Sequence, residues 1–269
     1  MKTFTSHSSA RRFRPSLDLL EARVAPAVSI VPDGSTLTIT SDEASDRVQI
    51  VDNGDGDLRI WVNGVEQSRR FDISRLVIRM GAGNDRVEYT QRADRSRAMD
   101  LDASLQDGSD EFTATSYGDI RPGADLAIRV HGGKGQDTIR VYMHEDVDVS
   151  YGAVLRLNLE GGRHTDTIFV LYDGELDGQL QLRARGNEGV DNMTVWVQAD
   201  AGSIGSLRGL GGGRYARVQG NDGDDTLEFK VWAPAGVVVN AILQGGDGTD
   251  TGTFTDNVEY SGLEFLRFD

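Results

Sequence analysis

Ile128-Arg129-Val130-His131-Gly132-Gly133-Lys134-Gly135-Gln136-Asp137-Thr138-Ile139-Arg140-Val141 is the stretch whose reading decides the fold. Apolar residues alternate with polar ones on both sides of a six-residue glycine turn that ends in aspartate. A period of two means extended strands, each with one dry face and one wet face. The same turn recurs as Gly161-Gly162-Arg163-His164-Thr165-Asp166, Gly186-Asn187-Glu188-Gly189-Val190-Asp191, Gly220-Asn221-Asp222-Gly223-Asp224-Asp225 and Gly245-Gly246-Asp247-Gly248-Thr249-Asp250. Weaker copies end at Asp46, Asp85 and Asp110.

The intervals between these aspartates are 39, 25, 27, 29, 25, 34 and 25 residues, a base period near 25 with two insertions. In the first insertion, Asp52-Asn53-Gly54-Asp55-Gly56-Asp57 and Asn63-Gly64 flank Leu58-Arg59-Ile60-Trp61-Val62, which reads as an extra hairpin. Asp52 to Asp57 has acids at the wrong places for a calcium loop and is read as a turn. In the second insertion, Gly202 to Gly213 reads as a glycine-rich loop.

The alternation stays in phase with the aspartate in every copy. Two and four places before the turn stand Leu37 and Ile39, Leu76 and Ile78, Leu101 and Ala103, Ile128 and Val130, Leu157 and Leu159, Leu182 and Ala184, Ala216 and Val218, Ala241 and Leu243. Two and four places after the aspartate the residues are again apolar, from Val48 and Ile50 to Leu227 and Phe229, until Gly252 breaks the pattern beside Phe254. A unit of strand, turn, strand and connection cannot bury its apolar face alone, but stacked units share a continuous core. The fold class expected is therefore all-β, a right-handed parallel β-solenoid of about eight coils with an N-terminal hairpin insertion. A β-sandwich would have no reason to hold the aspartate in phase.

Composition agrees. There are 33 Gly and only 5 Pro among 269 residues, with no collagen period, so turns are abundant. A formal charge of −15 disfavours nucleic acid and favours cations. The chain has no Cys, which excludes disulfides, thiolate metal sites and a cysteine nucleophile. No apolar run approaches the roughly 18 residues of a spanning helix, so an integral helical membrane protein is not expected.

Residues 1–28 read as a disordered export leader, and residues 29–269 as the solenoid domain. The leader carries Arg11, Arg12 and Arg14, but Asp18, Glu21 and Arg23 interrupt the apolar run that a secretory signal needs. Its string Leu20-Glu21-Ala22-Arg23-Val24-Ala25-Pro26 resembles the Leu-Glu-x-Arg-x-x-Pro element near the N-terminus of many exported bacterial proteins. That resemblance implies a secreted or cell-surface location.

Residues 132–140 resemble the Gly-Gly-x-Gly-x-Asp-x-apolar-x repeat of the RTX (haemolysin-type) calcium-binding proteins, as do 220–228 and 245–253 with departures at Asn221 and Gly252. The resemblance implies calcium held by turn carbonyls and by Asp137, Asp225 and Asp250. RTX repeats run every nine residues or about that, whereas one turn occurs here per coil. Physics supplies a separate reason for a cation: coils stack about 4.8 Å apart, and one aspartate per coil makes a column of like charges that needs neutralising. The expected calcium ligands are Asp225, Asp250, Asp137 and Asp191 in the column, with Asp222 and Asp247 beside it. In the alternative reading no metal binds, each aspartate accepts hydrogen bonds from its own turn, and Asp222, Asp224 and Asp247 are solvated acids.

His7, His131, His144 and His164 lack ligand spacing, and no catalytic triad is arguable. Trp61, Trp196 and Trp232 read as strand residues rather than a sugar platform. The function expected is a non-enzymatic structural or adhesion-type protein binding calcium, with a surface polysaccharide or protein as partner. The alternative is a polysaccharide lyase with Arg140 or Arg163 as base, which rests on fold analogy alone.

Overall fold

The computed structural model describes residues 28–268, so the export element at Leu20–Pro26 lies outside the described residues. Two long sheets face each other. Sheet A contains Val28–Asp33, Thr36–Ser41, Arg75–Arg79, Met99–Asp107, Asp125–Lys134, Val154–Arg163, Gln179–Glu188, Ala216–Asp222, Ala241–Asp247 and Val258–Ser261 in that spatial order. Sheet B contains Arg47–Asp52, Arg86–Gln91, Glu111–Ser116, Thr138–Met143, Thr167–Gly174, Asn192–Ala199, Thr226–Trp232, Thr251–Phe254 and Phe265–Phe268. At each aspartate turn the chain passes from A to B, and it returns to A one position further along. Successive coils pair in parallel and in register, as Ile128 with Leu157 and Ile139 with Ile168. The β-solenoid expected from the repeat is the fold.

All sixteen apolar positions before the turns are buried, none more than 2% exposed. Their partners after the aspartates meet them from the other sheet and are buried too, Tyr89 and Phe112 among them. Gly252, which breaks the pattern, is no packing defect. A Cβ there would lie 2.4 Å from Leu263 Cδ1, so Leu263 fills the missing side chain's place.

Three features go beyond the sequence expectation. A ninth pair, Val258–Ser261 and Phe265–Phe268, follows the eighth aspartate and turns through Gly262 without one. The N-terminal insertion does not loop out of its coil. Leu58–Val62 continues sheet B antiparallel to Arg47–Asp52 and Val65–Arg70 pairs antiparallel to Leu58–Val62 at the edge, while Val28–Asp33 caps sheet A antiparallel to Thr36–Ser41. These caps end the parallel stack, and the sheet B edge strand carries Glu66, Arg69 and Arg70 while the sheet A edge strand carries Pro32 and Asp33, residues that suppress edge pairing. Within the supposed loop Gly202–Gly213, Ser206–Arg208 is a strand paired with Gln179–Gln181, and Leu210–Gly212 is a single 3₁₀ turn.

A polar anchor ties the insertion to the coils. Asp52 and Arg95 are both fully buried and form an ion pair. Tyr89 Oη donates to Asp52 Oδ2 at 2.7 Å, Arg95 Nη2 donates to Tyr89 Oη at 3.0 Å, and Gly54 N–H donates to Asp52 Oδ1 at 2.9 Å. Gln91 accepts from Arg95 Nε at 3.4 Å and donates to the carbonyl of Gly118 one coil on. Asp52, read from sequence as a turn residue, is thus a buried charge whose partner lies 43 residues away.

Candidate functional site: a buried aspartate column

The turn that repeats in sequence becomes a continuous column in space. Asp46, Asp85, Asp110, Asp137, Asp166, Asp191, Asp225 and Asp250 point inward, none more than 3% exposed. Each backbone N–H donates to the carboxylate of the next coil: Asp46 to Asp85 Oδ1 at 2.8 Å, Asp85 to Asp110 at 2.7 Å, Asp110 to Asp137 at 2.9 Å, Asp137 to Asp166 at 2.8 Å. The series runs on from Asp166 to Asp191, from Asp191 to Asp225 and from Asp225 to Asp250. Asp250 N–H donates to Glu264 Oε2 at 2.7 Å, and Asn63 Nδ2 donates to Asp46 Oδ1 at 2.9 Å. The column therefore has a cap at each end, and both caps were missed from sequence because they come from other turn types.

This differs from the metal-free reading of the sequence, in which each carboxylate serves its own turn. The acceptor serves the coil before it, so the side chain crosslinks coils instead of closing a turn. A buried N–H left unpaired costs about 1–3 kcal/mol, and the aspartate supplies its acceptor at the corner between the two sheets' strands.

The turn glycines divide the work. Those five residues before the aspartate provide room: a Cβ on Gly132, Gly161, Gly186, Gly220 or Gly245 would lie 2.5, 2.4, 2.0, 2.0 and 2.3 Å from the Oδ2 of its own column aspartate. Those four and two residues before it provide left-handed backbone, as at Gly133 and Gly135 with φ of 121° and 129°. Asn187, Asn221 and His164 take the left-handed place at φ of 83°, 82° and 79°, which explains how the degenerate copies still turn.

While Oδ1 is engaged, Oδ2 of all eight aspartates is buried without a hydrogen-bond partner among the described residues. Burial pushes the carboxyls of Asp85, Asp137 and Asp191 up to about 6, Asp110 and Asp225 to about 7 and Asp166 to about 8. The accepted N–H opposes this rise. For Asp110, Asp166 and Asp225 the carboxylates above and below add to it. Neutralisation, by a proton or a cation, is the chemical demand of the column.

The six expected calcium ligands fall into two sets. Asp137, Asp191, Asp225 and Asp250 lie in the column. Asp222 and Asp247 are exposed neighbours on the outside of the turn, where they continue an in-register row of Asp107, Lys134, Arg163 and Glu188. Among the described residues no group of three or more His, Cys, Asp and Glu converges as a metal cluster. The free Oδ2 atoms are hard anionic oxygens of the kind calcium selects, but each coil offers one, and calcium takes about six to eight. The remaining ligands would be turn carbonyls and water. The carbonyls of Lys134, Arg163, Asp222 and Asp247 already accept N–H groups of neighbouring turns, at 2.7–3.2 Å.

A second, shorter ladder escaped the sequence reading. At the corner where the chain returns to sheet A, Asp94 Oδ1 accepts from Asp119 N–H at 3.0 Å, Asp119 Oδ1 from Asp148 N–H at 3.1 Å and Asp148 Oδ1 from Glu175 N–H at 3.0 Å. Its intervals of 25 and 29 residues were available in the sequence, but no glycine turn marks them.

The other candidates do not assemble. Arg140 pairs with Glu111 at 2.7 Å and Arg163 with Glu188 at 3.4 Å, both on outer faces, so neither reaches the column. His131 faces Glu160, His144 stacks near Tyr117, and His164 holds its neighbour's carbonyl. Trp61 lies on the N-terminal insertion, apart from Trp196 and Trp232. Among the described residues no helix is long and apolar enough to cross a membrane. Compared with known proteins, the chain matches no family model, no curated protein and no solved structure.

Proposed function

We propose that the chain is a non-enzymatic structural or adhesion-type rod that works outside the cytoplasm, and that calcium neutralises its aspartate column. The observation that carries this reading is the row of eight buried carboxylates, each with an unpaired Oδ2. Such a row serves rigidity: it ties every coil to the next, and its charges are too deep for a substrate to reach. The extracytoplasmic location rests on the Leu20–Pro26 element and on the absence of cysteine.

A second reading is favoured by the raised carboxyl pKa values: the column holds protons and no metal. The two readings predict opposite responses. Without metal, the folded column keeps protons to about pH 6–8, whereas the unfolded chain releases them near pH 4. The fold then binds more protons across that interval, so stability falls as pH rises from about 4 to about 8 and levels off above it. Calcium would compete with those protons, so its effect should be large at pH 8 and small at pH 5.

Thermal melting of the full chain, with calcium or with chelator, at both pH values decides between them. The expected result is a melting temperature that rises with millimolar calcium at pH 8 and returns with chelator, and that loses this response in Asp225→Ala/Asp250→Ala. No calcium response at pH 8, with stability still climbing on acidification, would leave the proton-held rod.

A further inference from the structure

The outer face of sheet A concentrates positive charge on a chain whose net charge is −15. In register across neighbouring coils lie Arg129, Asn158, Arg183 and Arg217, and in the adjacent row Arg156, Gln181 and Arg208. Two of these arginines are neutralised locally, Arg129 by Asp100 and Arg156 by Asp125 at 2.8 Å, and Arg185 in the next row lies 3.9 Å from Glu160. Arg183, Arg208 and Arg217 make no ion pair among the described residues. Arg183 and Arg217 are direct cross-strand neighbours, an arrangement that like charges disfavour. Burial, with Arg185 and Arg217 close by, drives the Arg183 guanidinium down from its usual range, against the opposing pull of Glu160.

The insertion between Arg208 and Ala216 folds over this face. Its Leu210 and Gly211 form, with Ile128, Arg129, Arg156 and Asn158, a cleft of about 290 Å³. Asn158 Oδ1 and the neighbouring Gln181 Oε1 are buried acceptors without a donor among the described residues. Beside the cleft, Arg183, Arg208 and Arg217 thus offer guanidinium forks for carboxylates, and Asn158 in its wall offers an amide group for hydroxyls.

We propose that this cleft and the arginine row beside it bind an acidic polysaccharide, a chain carrying one carboxylate per sugar together with free hydroxyls. Arg183 and Arg217 stand on neighbouring coils about 4.8 Å apart, a spacing that suits a regularly spaced, sparsely charged polymer. Duplex nucleic acid carries a charge every 1.7 Å or so and would meet the repulsion of the remaining acidic surface. The site is separate from the aspartate column, and it stands whether or not calcium binds there.

The test is binding of fluorescent polygalacturonate oligosaccharides to the full chain at low ionic strength in chelator, which removes calcium bridging from the readout. Neutral dextran, a sulfated glycan and duplex DNA form the other arms. Saturable binding of the uronate, absent for dextran, weakened by salt and reduced at least about tenfold in Arg183→Gln/Arg217→Gln, is the expected result. The variant should keep or raise the melting temperature, since it relieves a like-charge contact. Absence of uronate binding, an unchanged affinity in the variant, or tighter binding of the sulfated glycan or of DNA would overturn the proposal.

Discussion

Replacing Arg95 with leucine should destabilise the protein by about 3–5 kcal/mol, the cost of leaving one member of a buried ion pair alone. Asp52 and Arg95 both have no exposed side-chain surface, so neither is rescued by solvent. Loss of the guanidinium also frees Tyr89 Oη and Gln91 Oε1 from their donors. Equilibrium urea unfolding measures the change. The double variant Asp52→Leu/Arg95→Leu should recover much of it, because a buried apolar pair replaces an ion pair at little cost. A single-variant loss below about 1 kcal/mol, the scale of an exposed pair, would show that water reaches this pair in solution.

Gly186→Ala should cost roughly 2–5 kcal/mol, combining overpacking with the loss of a buried hydrogen bond. Its Cβ would stand 2.0 Å from Asp191 Oδ2 and 2.7 Å from Cγ, contacts that only displacement of the carboxylate relieves. Asp166 N–H, which donates to that carboxylate at 2.8 Å, then loses its acceptor. Gly186 is not in the left-handed region, so backbone strain does not contribute, and the effect reports the column alone. In an Asp191→Ala background the same substitution should cost less, giving non-additivity in a double-mutant cycle. Full additivity would mean that the glycine serves some other contact.

The repeat made the solenoid legible because its information is local. Each coil carries its own turn, aspartate and alternating strands, and only stacking buries such a unit, so a one-dimensional pattern implied a one-dimensional architecture. The core follows from the same phase: Leu37, Val130, Val48 and Phe229 fall on the dry face by alternation and are buried. The hairpin of the first insertion was marked by its Asn-Gly and Asp-Gly turns, but nothing local revealed that it would cap sheet B or that Asn63 would close the aspartate column.

By itself, then, the sequence determined the fold class, the coil period, the dry face of each strand and the alignment of eight aspartates. Tertiary structure alone decided what those aspartates do. Their carboxylates reach the neighbouring coil, a relation between residues 25 to 39 apart, and from Asp137 to Asp250 their Oδ2 atoms face glycines whose absent side chains make the room. It also decided the pairing of Asp52 with Arg95 and the gathering of Arg183, Arg208 and Arg217 on one face. Periodicity reports which way a side chain points. Its partners depend on which coils become neighbours and on where an insertion folds back, and only the stacked chain sets those distances.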